Sequence, residues 1–406
     1  MSNTDKTALV PKLRFPEFLT AEGWQVAPLS QLATRTKKKN RDQTITRVLT
    51  NSAEFGVVDQ RDFFDKDIAT QGNLESYFVV DLGSYVYNPR ISATAPVGPI
   101  SKNKVGTGVM SPLYTVFKFE NDSNEFYEHY FKTTGWHTYM RQASSTGARH
   151  DRMAISSDDF MAMPLPVSSP AEQQKIADCL SSLDQLIAAQ ARKVDALKSH
   201  KKGLMQQLFP REGETQPHLR FPEFQNAGAW KPRNVSQFAK VTTGAKDTQN
   251  KVEGGKYPFF VRSQTVERID SYAYDGEAVL TSGDGVGVGK NFHHINGKFD
   301  FHQRVYCIYD FARQVSGLFF YLYFSEHFGE RVMRMSAKNS VDSVRMAMIT
   351  DMPVLFPSLA EQQRIASCLS SLDALITAET QQLETLKTYK KGLMQQLFPS
   401  AQEAEA

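Results

Sequence analysis

The glycine-rich string SGDGVGVGKN, at Ser282–Asn291, is the segment of the chain that most resembles a catalytic loop. A phosphate-binding loop of the GxxxxGK[ST] type would need Gly at position 284 and Ser or Thr at position 291, but the chain has Asp284 and Asn291. The glycine spacing also misses the GxGxxG pattern of dinucleotide-binding proteins. The string is therefore better interpreted as a loop that approaches a surface or another stretch of backbone.

Two other groups of residues have types that could form a site of chemistry. YNPR, at Tyr87–Arg90, is similar to the Asn-Pro-Pro-aromatic signature of adenine methyltransferases, but Arg90 replaces the second proline and no glycine-rich cofactor loop precedes it. His293, His294 and His302 lie close together in sequence, yet no Cys or carboxylate spacing completes a metal site. We therefore expect no catalysis and no bound cofactor or metal in this chain by itself.

Basic residues on loops are the remaining chemical signal. TRTKKKNR, at Thr34–Arg41, is a cationic run, and further Lys and Arg residues punctuate segments rich in turn residues. Lys and Arg on loops contact phosphates, and Arg also reads base edges, although a solvated surface charge is the commoner role for any one of them. The candidate nucleic-acid contacts are Lys37, Lys38, Arg90, Lys104, Arg149, Arg152, Lys246, Arg262, Lys290, Arg304, Lys338 and Arg345.

The composition is that of an ordinary globular protein. The chain has 406 residues, 41% of them hydrophobic and 22% charged, so it can bury sizeable cores. Its net charge of +3 would not by itself indicate nucleic acid, and no apolar run is long enough to predict a membrane span or a signal peptide. Three cysteines form no disulfide framework, which favours a cytoplasmic location.

A segment that occurs twice must position these residues. AEQQKIADCLSSLDQLI and its continuation end at Pro210, AEQQRIASCLSSLDALI and its continuation end at Pro399, and about two thirds of some 40 aligned positions are identical. Each copy carries apolar residues at alternating spacings of four and three, which is typical of a coiled coil, and 35 helical residues would form a rod of roughly 50 Å. The predicted seam contains Ile176, Leu180, Leu183, Ile187, Leu197, Ile365, Leu369, Leu372, Ile376 and Leu386, and Lys201 and Lys390 on the same seam should select one alignment of the two helices.

The entry into each half is also repeated. PKLRFPEF at Pro11–Phe18 returns as PHLRFPEF at Pro217–Phe224, and a short RMA phrase recurs at Arg152 and Arg345. The interiors diverge and are rich in short β-type runs, with one aromatic, helix-like segment each, from Asn124 and from Gly317. We predict an α+β protein: recognition domains at 1–167 and 211–356, long antiparallel helices at 168–210 and 357–399, and a tail at 400–406.

These features resemble the specificity subunits of type I restriction-modification enzymes, over nearly the whole chain from Pro11 to Pro399. The resemblance rests on the doubled helix, its AEQQ entries, and the phrases GVMSPLYTVF at Gly108–Phe117 and NGKFDFHQR at Asn296–Arg304. It implies that each variable unit is a target recognition domain for half of a split site in double-stranded DNA. The two helices would then pack antiparallel as a spacer and dock other subunits.

The resemblance also implies the partners. Two adenine methyltransferase subunits are expected, and restriction subunits with an ATP-dependent translocase and nuclease as a further addition, in a system of phage defence. S-adenosylmethionine, ATP and magnesium would be bound by those partners. A free-standing DNA-binding or interaction protein is the alternative, while a self-sufficient restriction enzyme would need at least another 100 to 200 residues.

Overall fold

The chain folds into two compact units, and each takes half of both long helices. The computed structural model describes residues 9–63, 74–121, 125–144, 151–335 and 343–399. The division into units falls between Gln190 and Ala191 in the first long helix and between Gln381 and Gln382 in the second. Unit 1 thus joins the first interior to the end of the second long helix, and unit 2 is the continuous stretch between the two divisions.

Unit 1 consists of short strands and short helices before the first long helix. Its strands are β1 (Gln25–Pro28), β2 (Ala33–Arg35), β3 (Leu49–Ser52), β4 (Gly56–Asp59), β5 (Phe78–Val80), β6 (Tyr85–Tyr87), β7 (Ile100–Lys102), β8 (Gly108–Met110), β9 (Thr115–Phe119) and β10 (Pro164–Val167). Its helices are α1 (Leu29–Leu32), α2 (Gln60–Phe63), α3 (Phe126–Phe131), α4 (His137–Ala143), α5 (Ser157–Met161) and the long α6 (Pro170–Leu208).

A four-stranded antiparallel sheet, in the order β2-β9-β6-β7, forms the centre of unit 1. Alternate side chains of a strand point to opposite faces, and both faces of β6 are buried. Tyr85 and Tyr87 pack into an aromatic core with Phe117 and the residues of α3, while Val86 packs on the other face with Val116. The sheet is therefore an internal layer that holds the β6–β7 connection in place.

Unit 2 repeats this plan with longer strands. It contains β11 (Lys231–Asn234), β12 (Lys240–Thr243), β13 (Tyr257–Phe260), β14 (Glu267–Ile269), β15 (Tyr274–Ser282), β16 (Phe292–Phe301), β17 (Val305–Tyr309) and β18 (Pro353–Phe356), with helices α7 (Gly317–Met335), α8 (Met346–Thr350) and the long α9 (Leu359–Leu397). Its sheet has the order β12-β17-β15-β16-β13-β14, so the first four strands correspond to β2-β9-β6-β7 and a strand pair is added at one edge. In both units a separate two-stranded sheet, β1–β10 or β11–β18, closes the domain before the long helix.

The aromatic segment predicted to be one helix in each half is continuous only in unit 2. In unit 1 it is broken between α3 and α4 at the sequence Thr-Thr-Gly. The Thr133 hydroxyl donates to the Tyr130 carbonyl (2.7 Å) and accepts from the Gly135 amide (3.2 Å), so the side chain replaces helical backbone bonds. In α7 the aligned positions are Glu326, His327 and Phe328, which offer no such competition and allow the helix to continue.

Both long helices have 39 residues, which corresponds to about 58 Å each. Each begins after a serine whose hydroxyl accepts the amide of the glutamate three residues later: Ser169 for α6 and Ser358 for α9, both at 3.3 Å. Each ends just before a Phe-Pro pair, and proline cannot continue a helix.

The predicted seam residues lie on the inner faces of the long helices. Ile176, Leu180, Ile365 and Leu369 are fully buried, whereas Leu183, Ile187, Leu197, Leu372, Ile376 and Leu386 are half-buried. In unit 2, Lys193 pairs with Glu379 (2.7 Å) and Lys201 with Asp373 (2.6 Å). The residue number therefore rises along α6 as it falls along α9. The helices therefore run antiparallel, as predicted. In unit 1 the equivalent lysine, Lys390, pairs with Asp184.

The repeated entry phrase attaches each unit to the start of its long helix. The Arg14 guanidinium donates from Nε and Nη2 to the Glu172 carboxylate at 2.7 and 2.8 Å, and Arg220 does the same to Glu361 at 2.7 Å for both bonds. The Arg side chains are at most 9% exposed and the Glu side chains 1% exposed. In each unit, the repeated phrase LRFPEF thus supplies the arginine and the repeated phrase AEQQ the glutamate of a buried ion pair.

We expect Arg14→Ala to lower the free energy of unfolding of unit 1 by about 3 kcal/mol, because Glu172 would stay buried without its cation. Arg220→Ala should act in the same way on unit 2. Amide hydrogen exchange would locate each effect: Arg14→Ala should deprotect the start of α6, and Arg220→Ala the start of α9. An equal loss of protection in both units from either variant would contradict this account.

Candidate functional site

The loop between β15 and β16, residues 283–291, is held at its base by side-chain hydrogen bonds, and we call it the glycine loop. The buried Asn291 amide donates to the Arg262 carbonyl (2.9 Å) and to the Ser282 hydroxyl (3.3 Å) across the base of the loop. A Cβ on Gly287 would lie 2.1 Å from Nδ2 of Asn291, so only glycine fits there. The sequence prediction that this string approaches another backbone agrees with the structure: a Cβ on Gly289 would lie 3.1 Å from Cα of Gly329 in α7.

Two arginines lie beside the glycine loop and share one carboxylate. Asp284 accepts from Nη1 of Arg262 at 3.0 Å and lies 3.7 Å from Nε of Arg304. The side chain of Arg262 is 47% exposed and that of Arg304 is 66% exposed, while Asp284 is more enclosed. Asp284 therefore orients two guanidinium groups whose remaining donors face solvent.

The neighbouring strands bring further polar groups to the same edge. The backbones of Lys246 and His302 form an isolated parallel β-bridge. The Asp247 carboxylate accepts a hydrogen bond from the Gln303 side-chain amide (3.0 Å) and lies 3.7 Å from Nε2 of His302. Burial lowers the pKa of His302 below its usual value. Asp247 opposes this shift, and the charge of Arg262 adds to it. His302 is therefore a neutral, buried member of the cluster near pH 7.

The structure places the residues predicted for unit 2 in three groups. Lys246, Arg262 and Arg304 come together as described, and Arg345 follows Val344, whose amide donates to the Gly283 carbonyl (2.7 Å). Lys290 is on the glycine loop but lines a cavity with α7 residues from Gly329 to Arg334, away from Asp284. Lys338 is outside the described residues.

The corresponding connection in unit 1, between β6 and β7, carries Arg90. The backbones of Arg90 and Arg152 form an isolated antiparallel β-bridge. Its two hydrogen bonds run from the Ile91 amide to the Asp151 carbonyl (3.0 Å) and from the Met153 amide to the Pro89 carbonyl (2.9 Å). Asp284 and Ser343 form the corresponding β-bridge in unit 2, so they are the structural counterparts of Arg90 and Arg152. The two units therefore present opposite charges at equivalent positions.

The other predictions for unit 1 do not converge on this pair. Lys37 and Lys38 follow the edge strand β2, where the Val79 amide donates to the Lys38 carbonyl (2.9 Å). Lys104 is held by Glu125 (2.7 Å) and Glu128 (2.8 Å) next to α3, so its charge is already compensated. Arg149 is outside the described residues.

The RMA phrase does not mark equivalent sites. Arg345 is the N-cap of α8, whereas the N-cap of the corresponding helix α5 is Ser156, and Arg152 lies four residues before it. The strands that follow, β10 and β18, occupy matching places, so the phrase is out of structural register. Its recurrence is a coincidence of three letters.

The three histidines that lie close together in sequence do not share one site. His293 contacts the Ser263 carbonyl (3.2 Å) and His294 contacts Glu277 (2.9 Å), so the three histidines have separate partners. Across the described ranges, no group of His, Cys, Asp or Glu has the geometry to hold a metal ion. None of the described helices is long and apolar enough to cross a membrane.

Sequence reasoning missed Asp284, Gln303 and Val286. The sequence shows Asp284 only as a departure from the phosphate-loop pattern, because the arginines that lie beside it are about 20 residues away on either side. Val286 is 95% exposed at the tip of the glycine loop. An exposed aliphatic side chain can contact a thymine methyl group, and arginines can contact guanine edges or phosphates.

The sequence and the fold are similar to those of known proteins. Residues 228–388 match the family model for the type I restriction modification DNA specificity domain. The chain is 29% identical over 176 residues to the type I restriction enzyme EcoDI specificity subunit of Escherichia coli, and 24% identical over 288 residues to the MjaVIII specificity subunit of Methanocaldococcus jannaschii. These matches cover 43% and 63% of this chain, but only 38% and 65% of the relatives' lengths.

The fold as a whole is similar to solved structures. A crystal structure of the S subunit of a type I restriction-modification system from M. genitalium aligns with 97% of this chain and all of its own, at a TM-score of 0.61 and 12% identity. A chain from a study of type I complex assembly aligns over 93% of this chain and 98% of its own, at a TM-score of 0.55 and 16% identity.

The fold therefore defines a protein with two strand-rich units built on paired long helices. Residues 228–388 match the type I restriction modification DNA specificity domain, and the chain has the fold of the solved S subunit with which it aligns.

We expect Gly287→Ala to destabilise unit 2 by about 1 to 3 kcal/mol, because the added methyl group would displace the Asn291 amide that closes the glycine loop. Val286→Ala, one residue away and fully exposed, is the matched control and should change stability by less than about 0.5 kcal/mol. Denaturant unfolding and hydrogen exchange of residues 282–291 would measure both. Equal stability of the two variants would show that the loop is not braced in this way.

Proposed function

We propose that this chain is the non-catalytic subunit that gives a type I restriction-modification complex its DNA sequence specificity. The observation that carries the proposal is the contrast within the chain. Two long helices that share about two thirds of their aligned residues, with matching entry phrases, support two interiors that differ in sheet size, loop sequence and charge. Such a scaffold suits one protein that must recognise two different half-sites while it presents the same surfaces to identical partners.

Contacts with DNA are assigned to the loop edges of the two units. In unit 2, Arg262 and Arg304 are held by Asp284 with free donors, which suits bidentate contacts to guanine or phosphate. In unit 1, Arg90 and Arg152 lie at the positions that Asp284 and Ser343 occupy in unit 2, and their guanidinium groups are the proposed contacts. Because the side chains differ, the two half-sites should differ in sequence.

The long helices are proposed to set the gap between the half-sites. Two recognition elements on one face of a duplex are best placed about one helical turn apart, roughly 34 Å or 10 base pairs. Helices of 39 residues are long enough for that distance.

The partners proposed are double-stranded DNA and two copies of an adenine methyltransferase subunit, with restriction subunits as a further addition. The repeat supports two copies, because exposed positions recur in both helices and offer equivalent docking surfaces. S-adenosylmethionine, ATP and magnesium are assigned to those partners. This chain's residues bind and orient DNA, and the chemistry occurs elsewhere in the complex.

The direct experiment is genome-wide mapping of adenine methylation in a host that expresses this chain with its methyltransferase subunit, against the methyltransferase alone. We expect a motif of two unlike halves with a fixed gap, present only with this chain. Confirmed expression and assembly without any such motif would favour the free-standing interaction protein.

The spacer role generates a separate prediction. Deleting residues 188–194 together with 379–385 removes facing heptads from the two antiparallel helices and shortens each by about 10 Å. The preferred gap should become shorter by about three base pairs, at about 3.4 Å per base pair. Methylation mapping measures the gap directly, and an unchanged gap in a folded, assembled variant would rule out the spacer model.

A further inference from the structure

A basic groove of about 670 Å³ lies in unit 1 between the turn that joins α3 to α4 and the last part of α9. Such a volume is typical of ligand pockets. Three threonines, a glycine and apolar residues from the end of α9 complete its wall, and none of the described residues that line it is acidic. Its basic lining residues are Lys12, Lys132, His137, Arg141, Lys387, Lys390 and Lys391.

Carboxylates outside the groove compensate part of this charge. Lys132 lies 3.4 Å from Glu128, Lys387 lies 2.8 Å from Glu384, and Lys390 pairs with Asp184. Arg141 and Lys391 form no ion pair with any described residue. The positive charge in the groove also affects the pKa of Lys390. Burial lowers this pKa, the charge of Lys132 adds to the shift, and Asp184 opposes it. The groove therefore keeps a net positive charge.

The equivalent region of unit 2 has the opposite character. When the aromatic segments that begin at positions 124 and 317 are aligned, Thr133 corresponds to Glu326 and His137 to Glu330. Burial raises the pKa of Glu326, Glu330 raises it further, and Lys202, the counterpart of Lys391, lowers it. Arg334, the counterpart of Arg141, pairs with Glu212. Lys202 and Arg334 of unit 2 thus have acidic neighbours in Glu326 and Glu212, whereas Arg141 and Lys391 of unit 1 form no ion pair with a described residue.

We propose that the basic groove of unit 1 binds two or more phosphate groups of one ligand. Arginine and several lysines around a concave wall focus positive potential, and threonine hydroxyls add neutral donors suited to phosphate oxygens. Two sources share this chemistry: the backbone of DNA outside the recognised bases, and a free polyphosphate anion. Only the DNA source rests on the function proposed above.

The test compares two full-length double variants that remove equal charge from equivalent, exposed positions. Arg141→Ala with Lys391→Ala empties the rim of the basic groove, and Lys202→Ala with Arg334→Ala is the matched control in unit 2. For a free anion, calorimetric titration with inorganic tripolyphosphate should show at least a tenfold loss of affinity in the first variant only. For DNA, binding to a duplex of arbitrary sequence should lose about two units of salt slope, about 0.9 per phosphate contact, again in the first variant only.

A selective loss with either probe supports the site and identifies the source. If the two variants bind both probes equally, the groove is not a phosphate site. Polyglutamate bound as tightly as tripolyphosphate, with the same dependence on Arg141 and Lys391, would also overturn the proposal and indicate an acidic protein segment. Since neither probe carries a target sequence, these results do not depend on whether the chain confers sequence specificity.

Discussion

The pairing of each seam lysine with an aspartate of the facing helix is the constraint on which the structure depends. A lysine on an apolar seam is costly unless it meets a carboxylate, and Lys390 meets Asp184 in unit 1 as Lys201 meets Asp373 in unit 2. Because the helices are copies, an in-register parallel arrangement would place Lys201 against Lys390. The antiparallel alignment removes that repulsion and supplies both partners, so the repeat itself determines the direction of packing.

The same duplication explains why the interiors are free to differ. Each interior is anchored at one end by a buried Arg–Glu pair to its long helix and closed by a two-stranded sheet, β1–β10 or β11–β18. The Leu29 amide bonds to the Met163 carbonyl (2.8 Å), and the Val235 amide bonds to the Met352 carbonyl (3.1 Å), at matching points. Everything between those points can change without disturbing the helices, as the added strands β13 and β14 and the reversed charge beside α7 demonstrate.

The long helices and their direction could be predicted from sequence because heptad spacing and seam lysines are local patterns. The interiors were predictable only as short strands with an aromatic helix. The break at Thr133–Gly135 depends on a side-chain bond that competes with the helix, and helical periodicity does not report it. The sequence could not show which basic residues lie close together, because Lys246, Arg262 and Arg304 come from three different strands or strand ends. Nor could it show that Lys104 forms ion pairs with Glu125 and Glu128, which only the fold brings near. The contacts with DNA are therefore proposals, whereas the fold is similar to that of solved structures.

The central claim is that each interior independently specifies one half of the target, on a scaffold that treats both alike. The most direct measurement is the methylated motif of a chimaera in which residues 29–163 are replaced by residues 235–352, which joins the two matching backbone points. The account predicts a symmetric motif, with the half-site of unit 2 repeated in inverted orientation across the original gap. A folded, assembled chimaera that still produced the original asymmetric motif would contradict the account.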